Sequence, residues 1–124
     1  MTDIIKIVDS YLEMLNETDP ARSKQLAERA WASDGNYVDP MFVVRGHAEL
    51  AGMGAAIAVK YPGHRFRRVS GIDAHHGQLR FGWEFVASDG TVLVAGIDIG
   101  ELAGDGRLAR ITGFFGPLPD VAAA

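Results

Sequence analysis

Residues Thr91–Leu102 read TVLVAGIDIGEL, and the alternation of this stretch places Val92, Val94, Gly96, Asp98 and Gly100 on one side of a strand. Its apolar content is that of a buried strand, and Asp98 stands where Val or Ile is expected. A carboxylate in such a setting is costly to ionise and is kept when it is paired, hydrogen-bonded or chemically useful.

Working outward, the same period of two runs from His64 to Phe115. It predicts four strands, His64–Ala74, Gln78–Ala87, Thr91–Leu102 and Arg107–Phe115. Turns fall at Ala74-His75-His76-Gly77, Ser88-Asp89-Gly90 and Ala103-Gly104-Asp105-Gly106, which favours hairpins and an antiparallel meander. Leu79, Phe81, Trp83 and Phe85 form one strongly aromatic face, while Ile111, Gly113 and Phe115 share a side of the last strand.

The N-terminal half has the helical period. Ile4, Val8, Tyr11 and Leu15 recur at i, i+4, i+7 and i+11, with Ile5 and Leu12 beside them, so Tyr11 faces inward. Asp19-Pro20 starts a second helix as N-cap and first residue. Leu26, Ala27, Ala30 and Trp31 carry its apolar side and Ser33-Asp34-Gly35 ends it. Tyr37–Val44 is a short strand interrupted by Pro40. Gly46 opens a third helix that runs to about Lys60 and stops at Pro62-Gly63. Gly52, Gly54 and its alanines make that helix slender, suited to close packing against a sheet. Helices followed by a meander mean an α+β fold, with a single domain over residues 1–124 and a frayed tail at Asp120–Ala124.

The 124 residues carry a net charge of -4 and no cysteine. No disulfide, thiolate nucleophile or Cys-ligated metal is possible. The basic residues are scattered apart from Arg65, Arg67 and Arg68, which alternate with Phe66 and read as a solvated strand face, so no nucleic-acid or membrane surface is expected. No apolar run approaches membrane-span length, and a cytoplasmic protein is the expectation. His75-His76 lacks further ligands for a metal, His47 and His64 read as residues at the start of a helix and a strand, and no cofactor is expected.

Asp98 with Gly96, Gly100 and Gly113 around it leaves unfilled volume beside a buried acid. Such volume is a pocket, or the glycines mark the bends of a curved sheet. A second acid, Asp39, lies in the aromatic segment Asn36-Tyr37-Val38-Asp39-Pro40, where it either caps a turn or faces the same pocket.

At these residues the chain resembles the nuclear transport factor 2 superfamily, which includes SnoaL-like polyketide cyclases and ketosteroid isomerases. The resemblance rests on Tyr11-Leu12-Glu13-Met14-Leu15-Asn16, on Tyr37-Val38-Asp39-Pro40 with Gly46 after it, and on Ala95-Gly96-Ile97-Asp98. Asp105-Gly106-Arg107 leading to Gly113-Phe114-Phe115-Gly116 completes it. It implies a curved antiparallel sheet wrapped around three N-terminal helices, a cone-shaped α+β barrel enclosing a pocket. It also implies roles: Tyr11 and a neutral Asp98 as hydrogen-bond donors to a substrate oxygen, and Asp39 as the carboxylate that moves the proton, a pattern familiar from ketosteroid isomerase.

Trp31, Tyr37, Met41, Met53, Phe81, Trp83, Phe85 and Phe115 are expected to bind the apolar body of the substrate, with Phe66 as core or wall. The third-helix stretch Ala51-Gly52-Met53-Gly54 lacks the supporting tyrosine of ketosteroid isomerases, and Trp83 narrows the space for a flat steroid. The resemblance further implies a homodimer through the outer face of the sheet. The activity expected is that of a cofactor-independent isomerase or cyclase acting on a small hydrophobic carbonyl compound through an enol or enolate. The alternatives are a non-catalytic module that holds a small hydrophobic molecule, and a hydrolase or dehydratase on the same fold.

Overall fold

The computed structural model describes residues 3–124. Three helices and seven strands follow in the order α1 (Ile4–Asn16), α2 (Pro20–Ala30), β1 (Trp31–Val38), β2 (Val43–Arg45), α3 (Gly46–Lys60), β3 (Arg65–Arg68), β4 (Asp73–His75), β5 (Gln78–Val86), β6 (Val92–Leu102) and β7 (Leu108–Phe115). Asp3 caps α1 by accepting from the Ile5 and Lys6 amides, and Asp19 caps α2 by accepting from Ala21. Each thereby satisfies donors that a helix start leaves open. Val8, Tyr11, Leu12 and Leu15 are buried as the helical period requires, whereas Ile5 is half exposed.

The strands form one curved sheet in the order β2-β1-β7-β6-β5-β3, with β4 also on β5. All pairs are antiparallel except β1 with β7, which run parallel. The curved sheet wraps the three helices as the expected cone does, but it is mixed where an all-antiparallel sheet was expected, and it is open at β2 and β3. The cause lies in residues 31–38. Trp31 does not extend α2: it begins β1, which lies beside β7 as the chain returns from the helical pair. Ser33-Asp34-Gly35 marks a register irregularity inside that strand, between the Trp31–Leu108 and Asn36–Arg110 pairs. Gly35 is required there, because a Cβ would lie 2.6 Å from the Trp31 ring.

The expected strand His64–Ala74 is likewise two strands. Arg68 pairs with Trp83 and Asp73 with Arg80, so four residues on one side face two on the other. The surplus bulges outward, held by the Val69 amide on the Gly82 carbonyl and by the Gly82 amide on Ser70 Oγ, and such a bulge bends the sheet. The exposed backbone of β3 is covered by the last residue of α1. The Asn16 side chain accepts from the Phe66 amide at 2.7 Å and donates to its carbonyl at 2.8 Å, which blunts a sheet edge.

The helices pack on the face carrying Leu79, Phe81, Trp83, Phe85 and Ile111, all buried. Gly54 lets α3 approach α1 closely, since a Cβ there would sit 2.9 Å from the Leu15 carbonyl oxygen. Among the described residues no helix is long and apolar enough to cross a membrane.

Candidate functional site

A cavity of about 250 Å³ opens between α1, α3 and the curved sheet. That volume lies at the small end of ligand pockets, which run from roughly 300 Å³ upward. Its wall takes Tyr11, Leu12 and Leu15 from α1, Met53, Ile57 and Lys60 from α3, Tyr61 after it, and Tyr37, Asp39, Met41 and Phe42 from β1 and the turn beyond. Phe66, Trp83, Phe85, Leu93, Val94, Asp98 and Phe115 complete it from the sheet.

Tyr11, Asp39 and Asp98 thus share one cavity. Of the expected wall residues, Tyr37, Met41, Met53, Trp83, Phe85 and Phe115 line it and Trp31 and Phe81 do not. Trp31 is wholly buried as the first residue of β1, with its ring edge-on to Tyr11 at 5.5 Å between centroids. It supports Tyr11 from behind. Phe81 pairs with Asp98 across β5 and β6 but is core. Ile57, Lys60 and Tyr61 were not among the residues expected at the site; the signal available for the first two was their spacing from Met53 along the inner face of α3, and Tyr61 follows at the helix end.

Asp98 is 2 % exposed. Trp83 donates its indole N–H to Asp98 Oδ1 at 3.0 Å, and Tyr11 donates its hydroxyl to Asp98 Oδ2 at 3.1 Å. Burial pushes the Asp98 carboxyl up from 3.8 to about 7; the two donated bonds pull it down, and the negative charge of Asp39 raises it further. The Tyr11 hydroxyl is raised well above its ordinary value, by burial first and then by the Asp98 charge, so it stays a protonated donor at physiological pH.

Asp39 both caps the turn and lines the cavity. Its Oδ1 accepts from the Met41 and Phe42 amides at 2.7 and 2.8 Å, which closes the tight β1–β2 turn around Pro40. Its Oδ2 accepts from the Tyr37 hydroxyl at 2.5 Å. Tyr37 is also raised, by burial first, then by the Asp98 charge and the bond to Asp39. Tyr37 lies beside Tyr11, with ring centroids 6.3 Å apart. The second phenol of the site comes from β1, where the third helix offers only Ala51-Gly52-Met53-Gly54.

The glycines around Asp98 do different things. Space beside Gly96 and Gly100 is filled: a Cβ on Gly96 would lie 2.3 Å from the Phe114 carbonyl and 2.5 Å from the Trp83 ring, and one on Gly100 2.8 Å from Ile111. Gly96 lets the Trp83 indole lie across β6 so that its N–H reaches Asp98. Gly113 is the meeting point of the polar groups, since a Cβ there would lie 3.0 Å from the Tyr37 hydroxyl, 3.1 Å from Asp98 Oδ1 and 3.2 Å from Asp39 Cβ. We expect Gly96→Ala to destabilise the fold by about 1–3 kcal/mol, because a rigid carbonyl and a packed ring must both move. Urea denaturation checks it, and an unchanged midpoint would show that the sheet absorbs the methyl group.

Among the described residues no group of three His, Asp or Glu is arranged to hold a metal. His75 and His76 face each other at the exposed β4–β5 turn. The site offers acid–base groups and hydrogen-bond donors over an apolar floor.

No family model and no curated protein matches the chain. Solved structures do. A candidate isomerase of the SnoaL-like family from Agrobacterium tumefaciens strain C58 is 34% identical, covering 94% of this chain and 100% of that one, at a TM-score of 0.86. An NTF2-like protein of unknown function from Cytophaga hutchinsonii is 13% identical, with 94% and 93% covered and a TM-score of 0.65. A candidate SnoaL-like polyketide cyclase from a Jannaschia species is also 13% identical, with 93% and 89% covered and a TM-score of 0.64. The last two share the fold alone; with a third of its residues identical to the Agrobacterium protein over that protein's whole length, this chain belongs to the SnoaL-like family.

Proposed function

We propose that the protein is a cofactor-independent acid–base enzyme that isomerises, cyclises or dehydrates a small apolar carbonyl compound through an enol or enolate. The observation that carries this reading is the convergence of Tyr11, Tyr37, Asp39 and Asp98 around Gly113 at one side of an apolar cavity. Asp39 is held by three donors as an acceptor and takes the proton from the carbon beside the carbonyl. Asp98 in its neutral form and Tyr11 donate to the oxygen on which the negative charge develops. The two carboxyl groups divide the acid and base roles.

The isomerase-type name of the Agrobacterium neighbour supports the reaction class. The test is exchange of deuterium from solvent into the carbon next to the carbonyl of a simple aliphatic methyl ketone, followed by proton NMR. Exchange above the buffer rate supports the reading, and none at any pH between 5 and 9 would sink it.

A binding-only role is favoured by one observation: every oxygen of Asp39 and Asp98 already accepts a hydrogen bond from the protein. In the enzymatic reading the arriving carbonyl oxygen displaces the Tyr11–Asp98 bond and takes both donors. A hydrolase with an Asp-Arg-Asp relay finds less support, because no arginine is among the described residues lining the cavity.

For assembly, we propose a homodimer through the outer face of the sheet. Ile97 and Ile99 of β6 and Phe114 of β7 are 43 to 57% exposed there and adjoin one another, an apolar strip of the kind that marks an interface. Light scattering that returned the mass of a single chain at micromolar concentration would rule it out.

A further inference from the structure

Met53, Ile57 and Lys60 are spaced i, i+4 and i+7 on α3, and all three line the cavity. Met53 is 3% exposed, Ile57 half-buried and Lys60 exposed, so this helix face is a ruler from the interior to the rim. Seven residues of helix span about 10 Å. At the inner side stand Asp98 and Tyr11; at the rim stands Lys60, the one cation among the described residues of the wall.

The Lys60 ammonium lies 5.6 Å from the centroid of the Tyr61 ring, and Tyr61 is itself held edge-on against Phe85 at 5.8 Å. None of the ion pairs among the described residues takes up Lys60. As the last residue of α3, the lysine also complements the helix dipole. That role needs a position near the helix end and says nothing of the face, whereas Lys60 lies on the cavity face above a ring of the wall.

We infer that the substrate is a carboxylate-bearing ketone or enone, an amphipathic anion whose carbonyl end enters toward Tyr11 and Asp98 while its carboxylate stays at the rim on Lys60. The inference rests on the proposed enol-forming function and adds the substrate class. The Asp39 carboxylate repels an anionic group placed beside it, and the chain carries a net charge of -4, so the anionic end of such a substrate is kept away from the acids and held at the one cation among the described wall residues. Lys60 is that cation, and the apolar stretch between Met53 and Lys60 takes the hydrocarbon between the two ends.

The test is calorimetric binding of 7-oxooctanoate and of its uncharged amide at low salt to the full chain, to Lys60→Met, which keeps the aliphatic stem, and to Lys24→Met, an exposed lysine of α2 outside the cavity wall. The wild type and Lys24→Met are expected to prefer the acid by up to about fivefold, the scale of an exposed ion pair. The preference shrinks as salt is added and vanishes in Lys60→Met. Equal affinity for the two probes, no binding of either, or a preference that survives Lys60→Met overturns the inference. Deuterium exchange into the same two probes separates it from the reading on which it rests. Exchange without acid preference removes Lys60 alone, and acid preference without exchange removes the enolising function while leaving the carboxylate site.

Discussion

Replacing Asp98 with Asn is expected to widen the stability margin of the variant over the wild type by about 4 kcal/mol between roughly pH 4 and pH 8. Burial holds the Asp98 carboxyl at about 7 in the folded protein, against 3.8 for an unperturbed one. Between those values the folded state keeps a proton that the unfolded state releases. The contribution is therefore complete below the unfolded value and is lost as pH rises through about 7. Three units at about 1.4 kcal/mol each give the magnitude. Asparagine is neutral throughout, can accept from the Trp83 indole with its oxygen and can donate to the Tyr11 hydroxyl oxygen, so it fits the site with no pH-dependent term. Urea unfolding followed by circular dichroism over that pH range is the measurement. Parallel curves for the two proteins would mean that Asp98 titrates alike folded and unfolded.

Asp39→Asn is expected to lower the rate of proton exchange by about 10²–10⁴-fold, the usual contribution of a positioned general base, while leaving the fold intact. The side-chain oxygen of asparagine can still accept from the Met41 and Phe42 amides, and its amide can face the Tyr37 hydroxyl. The turn survives and the base does not. In the wild type the rate should fall as pH rises through about 7, because the donor form of Asp98 is the protonated one. A rate that climbs through the same pH would give Asp98 the base's part. An unchanged rate in Asp39→Asn would leave Asp39 as a turn cap only.

Both residues stand out in the sequence alone. Asp98 is conspicuous because an acid interrupts an apolar strand, and Asp39 because an aromatic segment surrounds it. Their neighbours were less legible. The Trp83–Asp98 bond depends on the β5–β6 register, in which Trp83 faces Gly96 and Phe81 faces Asp98; a slip of one residue would turn the indole to the other face. Phe81 and Trp83 look alike along the strand, yet one is core and the other reaches the site. Trp31 continues the helical stripe of α2 in the sequence, but β7 offers it a parallel partner, and that pairing overrides the helical period. Its partner Leu108 lies 77 residues further along the chain, beyond any local signal.

What the sequence alone determined was the content of the elements: the inward stripe of α1, the Asp19-Pro20 helix start, the hairpin turns, the aromatic face of β5 and the anomalous acid of β6. These depend on interactions within a few residues, so periodicity and capping record them. Only the tertiary structure decided which of these surfaces meet. It brought β1 parallel to β7, set Tyr37 beside Tyr11, turned the rim of α3 toward the cavity with Lys60 at its end, and closed the protein over Asp98. Burial, which raises the affinity of that carboxyl for its proton, is a property of the packed chain and of no local stretch of it.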